Sequence, residues 1–270
     1  MTDLPNPSLF GLSDEEKKSL PPKVGRKLFL IHIPKTAGTT INSHVLKMIG
    51  EKLVYTHVES TPGFLRNINS HRLETRYVSG HHRLPDVLAN LDVSEWFLFT
   101  TLRNPVQHLL SHLKWVKAIG APGNELLRSR HSVSIQEMAG RLWHIGLNNI
   151  DGIHRMINED FTEAKQYFDN NQTRYMIDYR AGLIGHPEAV EAVEALGKFD
   201  HVGFAEDIPN VLAIIDQILG MDSSFTSVPR ENRSPLDEDV NLSDQTIRDF
   251  YREAVKWDAL LYTKAKALFE

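Results

Sequence analysis

Lys35, Gly38, Thr39 and Thr40 stand together in KLFLIHIPKTAGTTINSHVLKMI, residues 27–49, where an apolar run stops at Pro34 and a helical pattern begins. A lysine beside the free amides of a helix start makes a receptor for an anion, because the amides donate and the helix end carries partial positive charge. Lys35, Thr36, Ala37, Gly38, Thr39 and Thr40 are therefore the candidate phosphate ligands. A second cation, Arg103, ends another apolar run in WFLFTTLRNPVQHLLSHLKWVK, residues 96–117. Ser111 follows about two helical turns later, so both can face one ligand from the same edge of a sheet. Guanidinium binds phosphate through paired charge-assisted hydrogen bonds, and a hydroxyl completes the shell. Between the two motifs lies Ser79-Gly80-His81-His82. A neutral His81 imidazole is suited to take a hydroxyl proton near neutral pH.

The elements that must position these residues follow from the pattern around them. Leu28 to Ile33 is short, apolar and rich in strand formers, as a buried parallel strand requires. Pro34 ends it, Gly38 permits a tight path, and a helix is predicted from about Thr39 to Met48. The run starting at Trp96 is a second such strand, with Pro105 opening the helix after it. Leu53 to Thr56, Arg76 to Ser79 and Phe199 to Phe204 are further short strands. Ile135 to Ile145, Thr162 to Ile177, Pro187 to Leu196 and Ile208 to Leu219 pattern as helices. A final helix capped by Ser243 carries Ile247, Phe250, Tyr251, Val255 and Leu260. Strands alternating with helices favour an α/β fold with a mostly parallel central sheet covered on both faces.

The nucleotide-triphosphate loop GxxxxGK[ST] is the obvious comparison, but here Lys35 precedes the only Gly and the leading Gly is absent. IHIPKTAGTT instead resembles the 5′-phosphosulfate loop of sulfotransferases that use 3′-phosphoadenosine 5′-phosphosulfate (PAPS), nearest the heparan sulfate 2-O-sulfotransferase-like carbohydrate branch. The resemblance implies a P-loop-like fold. It also implies that Arg103 and Ser111 hold the 3′-phosphate, and that Gly80-His81 supplies the catalytic base. Lys35 would stabilise charge on the leaving phosphate and the sulfuryl oxygens. Other carbohydrate sulfotransferases place an acidic base after the second strand, which makes Glu59, or His57 beside it, the rival.

The chain departs from the family pattern at three places. Asn104 stands where Asp is usual, His108 where a second Arg is common, and Ser79 where a His often precedes the Gly. Asn170-Asn171-Gln172-Thr173-Arg174-Tyr175 resembles a family stretch on the acceptor side, with a polar helix face as the alternative. Ser227 to Pro235 precedes the final helix where the family carries a loop over the nucleotide. Arg230 or Arg233 could reach a phosphate there, and a solvated loop is the alternative.

Length and charge bound these readings. At 270 residues and 41% hydrophobic content, one enzyme-sized domain over 26–270 after an arm over 1–25 is the simplest organisation. A short helix at Ser13 to Ser19 is expected within the arm. A formal net charge of −5 gives no global field to recruit nucleic acid. The absence of cysteine excludes disulfides and thiolate chemistry. The first residues lack a basic start and an apolar core, and no run is long enough to span a bilayer, so a cytoplasmic protein without a membrane partner is expected. His108 and His112 lie four apart, but HLLSH lacks the Glu of a zinc HExxH site, so no metal is expected. The sequence thus points to an O-sulfotransferase taking PAPS and a carbohydrate or small hydroxylated metabolite. A nucleotide-dependent kinase and a non-catalytic nucleotide-binding protein are the alternatives.

Overall fold

Side chains of the strand β1 (Lys27–Ile31) alternate between two apolar cores, Phe29 and Ile31 into one, Leu28 and Leu30 into the other. The computed structural model describes residues 26–71, 75–161, 163–178, 180–221 and 238–270. β1 is the middle strand of a sheet completed by β2 (Val54–Tyr55), β3 (Tyr77–Gly80), β4 (Trp96–Leu102) and β5 (His201–Phe204). The order is β2-β3-β1-β4-β5 and every pairing is parallel, as the alternating pattern predicts. Because both faces are buried, a one-residue slip of β1 would exchange Phe29 and Ile31 for Leu28 and Leu30 and turn His32 away.

The helices in chain order are α1 (Gly38–Ile49), α2 (Phe64–His71), α3 (Leu84–Asn90), α4 (Pro105–Gly120), α5 (Glu125–Arg128), α6 (Val133–Trp143) and α7 (Ile150–Arg155). They continue as α8 (Ala164–Phe168), α9 (Asn171–Met176), α10 (His186–Ala195), α11 (Ile208–Leu219), α12 (Gln245–Ala254) and α13 (Lys256–Phe269). α1 and α11 cover one face of the sheet through Ile41, Val45, Val211 and Ile215. α3, α10 and α13 cover the other through Val87, Ala192, Leu261 and Ala265. A third core joins α4, α6 and α7 with Phe168, Tyr251 and Val255.

Two predicted helices are each divided. Thr162 to Ile177 breaks between α8 and α9 because Asn170 takes a left-handed conformation, φ 45° and ψ 52°. From there its Oδ1 accepts from the backbone N–H of Trp257 and Asp258 at 3.0 Å each, covering the start of α13. The final helix breaks at Val255, φ −122° and ψ 23°, so that Tyr251 serves the third core and Leu261 the sheet. Its start is capped by Asp244, which accepts from Thr246 and Ile247, rather than by Ser243. The arm over 1–25, with its expected short helix, and the loop over 222–237, with Arg230 and Arg233, lie outside the described residues. Among the described residues, no helix is long and apolar enough to cross a membrane.

The register sets the position of the site. Ile31 is level with Gly80 on one side and Thr100 on the other, so the loops after β1, β3 and β4 leave from one edge. The strand order also reverses about β1, and ligands of open parallel sheets bind at the carboxyl ends of the strands where such a reversal occurs.

Candidate active site

The loop after β1 holds two non-glycine residues in the left-handed region, Lys35 at φ 68° and Ala37 at φ 74°. Such residues cost about 1–3 kcal/mol each. Four hydrogen bonds hold the loop against that cost. The Thr36 hydroxyl donates to the Ile33 carbonyl at 2.8 Å, and the Thr101 hydroxyl donates to the Thr36 carbonyl at 2.8 Å. His108 Nε2 donates to the Pro34 carbonyl at 2.8 Å, and Arg103 Nη1 to the Lys35 carbonyl at 3.3 Å. At about 0.5–1.5 kcal/mol apiece, these bonds are comparable to the backbone strain. Thr36 is fully buried, so its hydroxyl is an internal brace and only its backbone can serve a ligand.

α1 begins directly after the loop, with Ala37 as N-cap, no side-chain cap and no acidic residue in its first turn. Its first amides have no partner within the helix and are oriented for an anion. Gly38 is required by close approach, since a Cβ there would fall inside the His32 ring. Thr39 and Thr40 follow, both half-buried. Lys35 places its ammonium over the Trp115 ring, 5.8 Å from the centroid. Burial lowers the Lys35 pKa and Arg103 lowers it further, so both charges disfavour each other until an anion joins them.

Arg103 follows the last residue of β4 and is held at its backbone. Gln172 Oε1 accepts from Arg103 N–H at 2.8 Å, and Gln172 Nε2 donates to the Arg103 carbonyl at 3.0 Å. Gln172 belongs to the Asn170 to Arg174 stretch, all of which is buried. Asp258 of α13 accepts from Gln172 N–H at 3.2 Å, Thr173 N–H at 2.7 Å and the Thr173 hydroxyl at 2.8 Å. Burial raises Asp258 to about 6, with those bonds opposing the rise. Arg174 pairs with the Asp169 carboxylate at 2.5 Å and donates to the carbonyls of Asp169, Arg180 and Gly182. The stretch therefore braces Arg103 against the last helix rather than presenting a polar face.

α4 closes the other side. His108, Ser111 and Trp115 are three and four residues apart, which sets them on one helical face. His108 grips the loop and Trp115 lies under Lys35, so half-buried Ser111 faces the same loop. Burial pushes His108 down to about 4, with the Pro34 bond opposing and Arg103 and Lys35 adding to the drop. At the place of a second arginine the chain thus holds a neutral donor. His112 is buried against Trp115, Tyr167 and Phe168 and is a packing residue.

His81 leaves the end of β3 toward the loop. Its Nδ1 lies 2.6 Å from the His32 carbonyl. A carbonyl only accepts, so Nδ1 is the donor and Nε2 is the ring nitrogen left to accept. Glu59 Oε2 accepts from the His81 backbone N–H at 2.9 Å, leaving Oε1 4.0 Å from His81 Nε2 and 3.5 Å from His57 Nδ1. Burial pushes the Glu59 carboxyl up, but hydrogen bonds from the His81 amide and its own, with the two imidazoles, hold it below its ordinary value. The His32 ring sits between the loop and His81, 4.4 Å from the His81 ring and packed on Gly38. Burial, then His81, His57 and Lys35, keep His32 neutral well below its usual range. His81 and its two rivals thus form one cluster, with His82 half-buried beside it and its Nε2 unpartnered.

Sequence reasoning does not assign His32 or Trp115 to this site, and it places Gln172 only on the acceptor side rather than behind Arg103. His32 had one visible signal, its place one residue past a buried strand beside Pro34. No protein-family model matches the chain, and no curated protein matches it.

Proposed function

We propose that the chain is a PAPS-dependent O-sulfotransferase. One observation carries the reading: the Lys35–Arg103 pair and the uncapped start of α1 share a sheet edge with an imidazole whose Nε2 lone pair is unused. An anion receptor alone would serve any phosphate ligand, whereas a base beside it serves group transfer to a hydroxyl.

The residues fit such a donor. The amides opening α1, with Thr39, Thr40 and Lys35, suit its 5′ end, and Arg103 with Ser111 suits a 3′-phosphate. The donor supplies an activated sulfuryl group. His81 Nε2 takes the acceptor hydroxyl proton while the acceptor oxygen bonds to sulfur. The bond from sulfur to the phosphate oxygen breaks, and adenosine 3′,5′-bisphosphate leaves with the electron pair. The carbonyl of His32 fixes the base tautomer, and Glu59 stabilises the imidazolium that forms. Lys35, partly desolvated, interacts more strongly with the departing charge than an exposed lysine would. The acceptor is a carbohydrate or small hydroxylated metabolite.

Calorimetric titration with adenosine 3′,5′-bisphosphate tests this directly, with adenosine 5′-phosphate as control ligand and Arg103→Ala as control protein. Saturable binding that needs both the 3′-phosphate and Arg103 is expected, followed by sulfation in an acceptor screen with PAPS. No binding by the folded wild-type chain would overturn the reading.

A further inference from the structure

Three donor groups from two separate segments come together. His57, Glu59 and His81 each offer one ligand atom, and these atoms all lie within 4.8 Å of one another. Glu59 Oε1 is 3.5 Å from His57 Nδ1 and 4.0 Å from His81 Nε2. An ion with bonds of about 2.0–2.2 Å sets neighbouring ligands about 3.0–3.5 Å apart, so the longer gap to Glu59 closes by about half an ångström, and the gap between the two imidazoles, at most 4.8 Å, closes by movement of the exposed His57 side chain.

Groups behind these atoms hold them in the orientation that an ion requires. His81 gives its other ring N–H to the His32 carbonyl, the arrangement that fixes tautomer and ring direction in a metal-bound histidine. Glu59 has its second oxygen pinned by the His81 amide, which leaves Oε1 to point at the cluster. His57 itself is held left-handed at φ 55° and ψ 39°, a conformation that costs a non-glycine residue about 1–3 kcal/mol. The Ser60 hydroxyl and amide both bond to the His57 carbonyl and keep this turn closed. In this turn His57 Nδ1 lies 3.5 Å from Glu59 Oε1.

We propose that His57, Glu59 and His81 bind a divalent transition-metal ion of the zinc class. Two imidazole nitrogens and one carboxylate oxygen form a donor set for zinc, whereas magnesium and calcium take oxygen almost exclusively. His57 and Glu59 are exposed, so an entry path and a coordination position toward solvent both exist. This departs from the metal-free expectation of the sequence. Resting on the sulfotransferase reading, one consequence follows: the ion takes the Nε2 lone pair of His81, so metal and acceptor proton compete for one atom and bound zinc silences transfer.

The test is titration of Zn2+ into the full folded chain by calorimetry, with Co2+ absorption in the visible range as a second readout. One ion per chain is expected, with cobalt bands of nitrogen–oxygen coordination. His57→Asn, which tolerates the left-handed backbone, and Glu59→Gln should each weaken binding at least about tenfold. His144→Ala, at an exposed position outside the cluster, should leave it unchanged. Unsaturable heats, or His57→Asn and Glu59→Gln binding as wild type does, would overturn the proposal. Adenosine 3′,5′-bisphosphate titration of the same sample separates the two readings: a chain that binds nucleotide but no zinc loses only the metal, and one that binds zinc but no nucleotide loses only the transferase.

Discussion

Gln172 brackets the backbone of Arg103, accepting from its N–H at 2.8 Å and donating to its carbonyl at 3.0 Å. The side-chain amide completes both backbone bonds of Arg103 where β4 has just ended and no strand is available to do so. Arg103 is thereby held from behind while its guanidinium reaches the carbonyl of Lys35.

Gln172→Leu removes both bonds and leaves two partly buried backbone groups unpaired. We expect a loss of about 2 kcal/mol in unfolding free energy. Adenosine 3′,5′-bisphosphate should bind more weakly because Arg103 is no longer fixed, and calorimetry beside thermal unfolding measures both. A stability loss with unchanged nucleotide affinity would remove Gln172 from any positioning role.

Lys35→Met keeps much of the side-chain bulk over Trp115 and deletes the charge. Turnover with PAPS should fall by about 10²–10³-fold. The melting temperature should hold, because the ammonium is partly desolvated beside Arg103 and contributes little to the fold. A variant that melts far below wild type would show that Lys35 is a structural residue.

Gly38→Ala places a methyl group in the space of the His32 ring. That ring is buried and the His32 carbonyl orients His81, so one substitution should disturb both the loop after β1 and His81. Nucleotide affinity and turnover should both drop, and a crystal structure would show His32 displaced. Wild-type affinity and rate would mean that the loop tolerates a wider path.

Acid should weaken the fold through His108 and His201, both pushed by burial to about 4. Their folded values lie below the ordinary 6.5, so the unfolded chain binds more protons between those limits. Stability is therefore full above pH 6.5 and declines as pH falls toward 4, by about 2 kcal/mol per histidine at pH 5. Asp258, raised to about 6, acts in the opposite sense over part of that range. Urea unfolding of wild type and His201→Phe at pH 7.5 and pH 5 tests this, and the variant should lose less on acidification. His201 suits the exchange because its Nε2 is buried without a partner and its ring packs edge-on against Phe269.

The parallel sheet was legible in the sequence because local pattern decides it: Leu28 to Ile31 has apolar residues for both faces, and Pro34 and Pro105 mark where helices can begin. The turn from β1 into α1 was legible for the same reason, since Lys35 through Thr40 are contiguous. The break at Asn170 was not, because the partners that hold it left-handed, Trp257 and Asp258, lie 87 and 88 residues away. Nor could spacing show that His57, Glu59 and His81 converge, since β2 and β3 must first pair in register. His108 was visible as a departure from a family pattern, but its bond to Pro34 needs the full turn of the chain.

The bond from Asp258 to Gln172, and from Gln172 to Arg103, also orders events in time. On a ribosome, β1 to β5 and the phosphate loop have all emerged before residue 258 is made. Nascent chains at that stage have the sheet's sequence but lack the brace that fixes Arg103. The brace that steadies Arg103 therefore arrives only after the sheet and the loop that it serves.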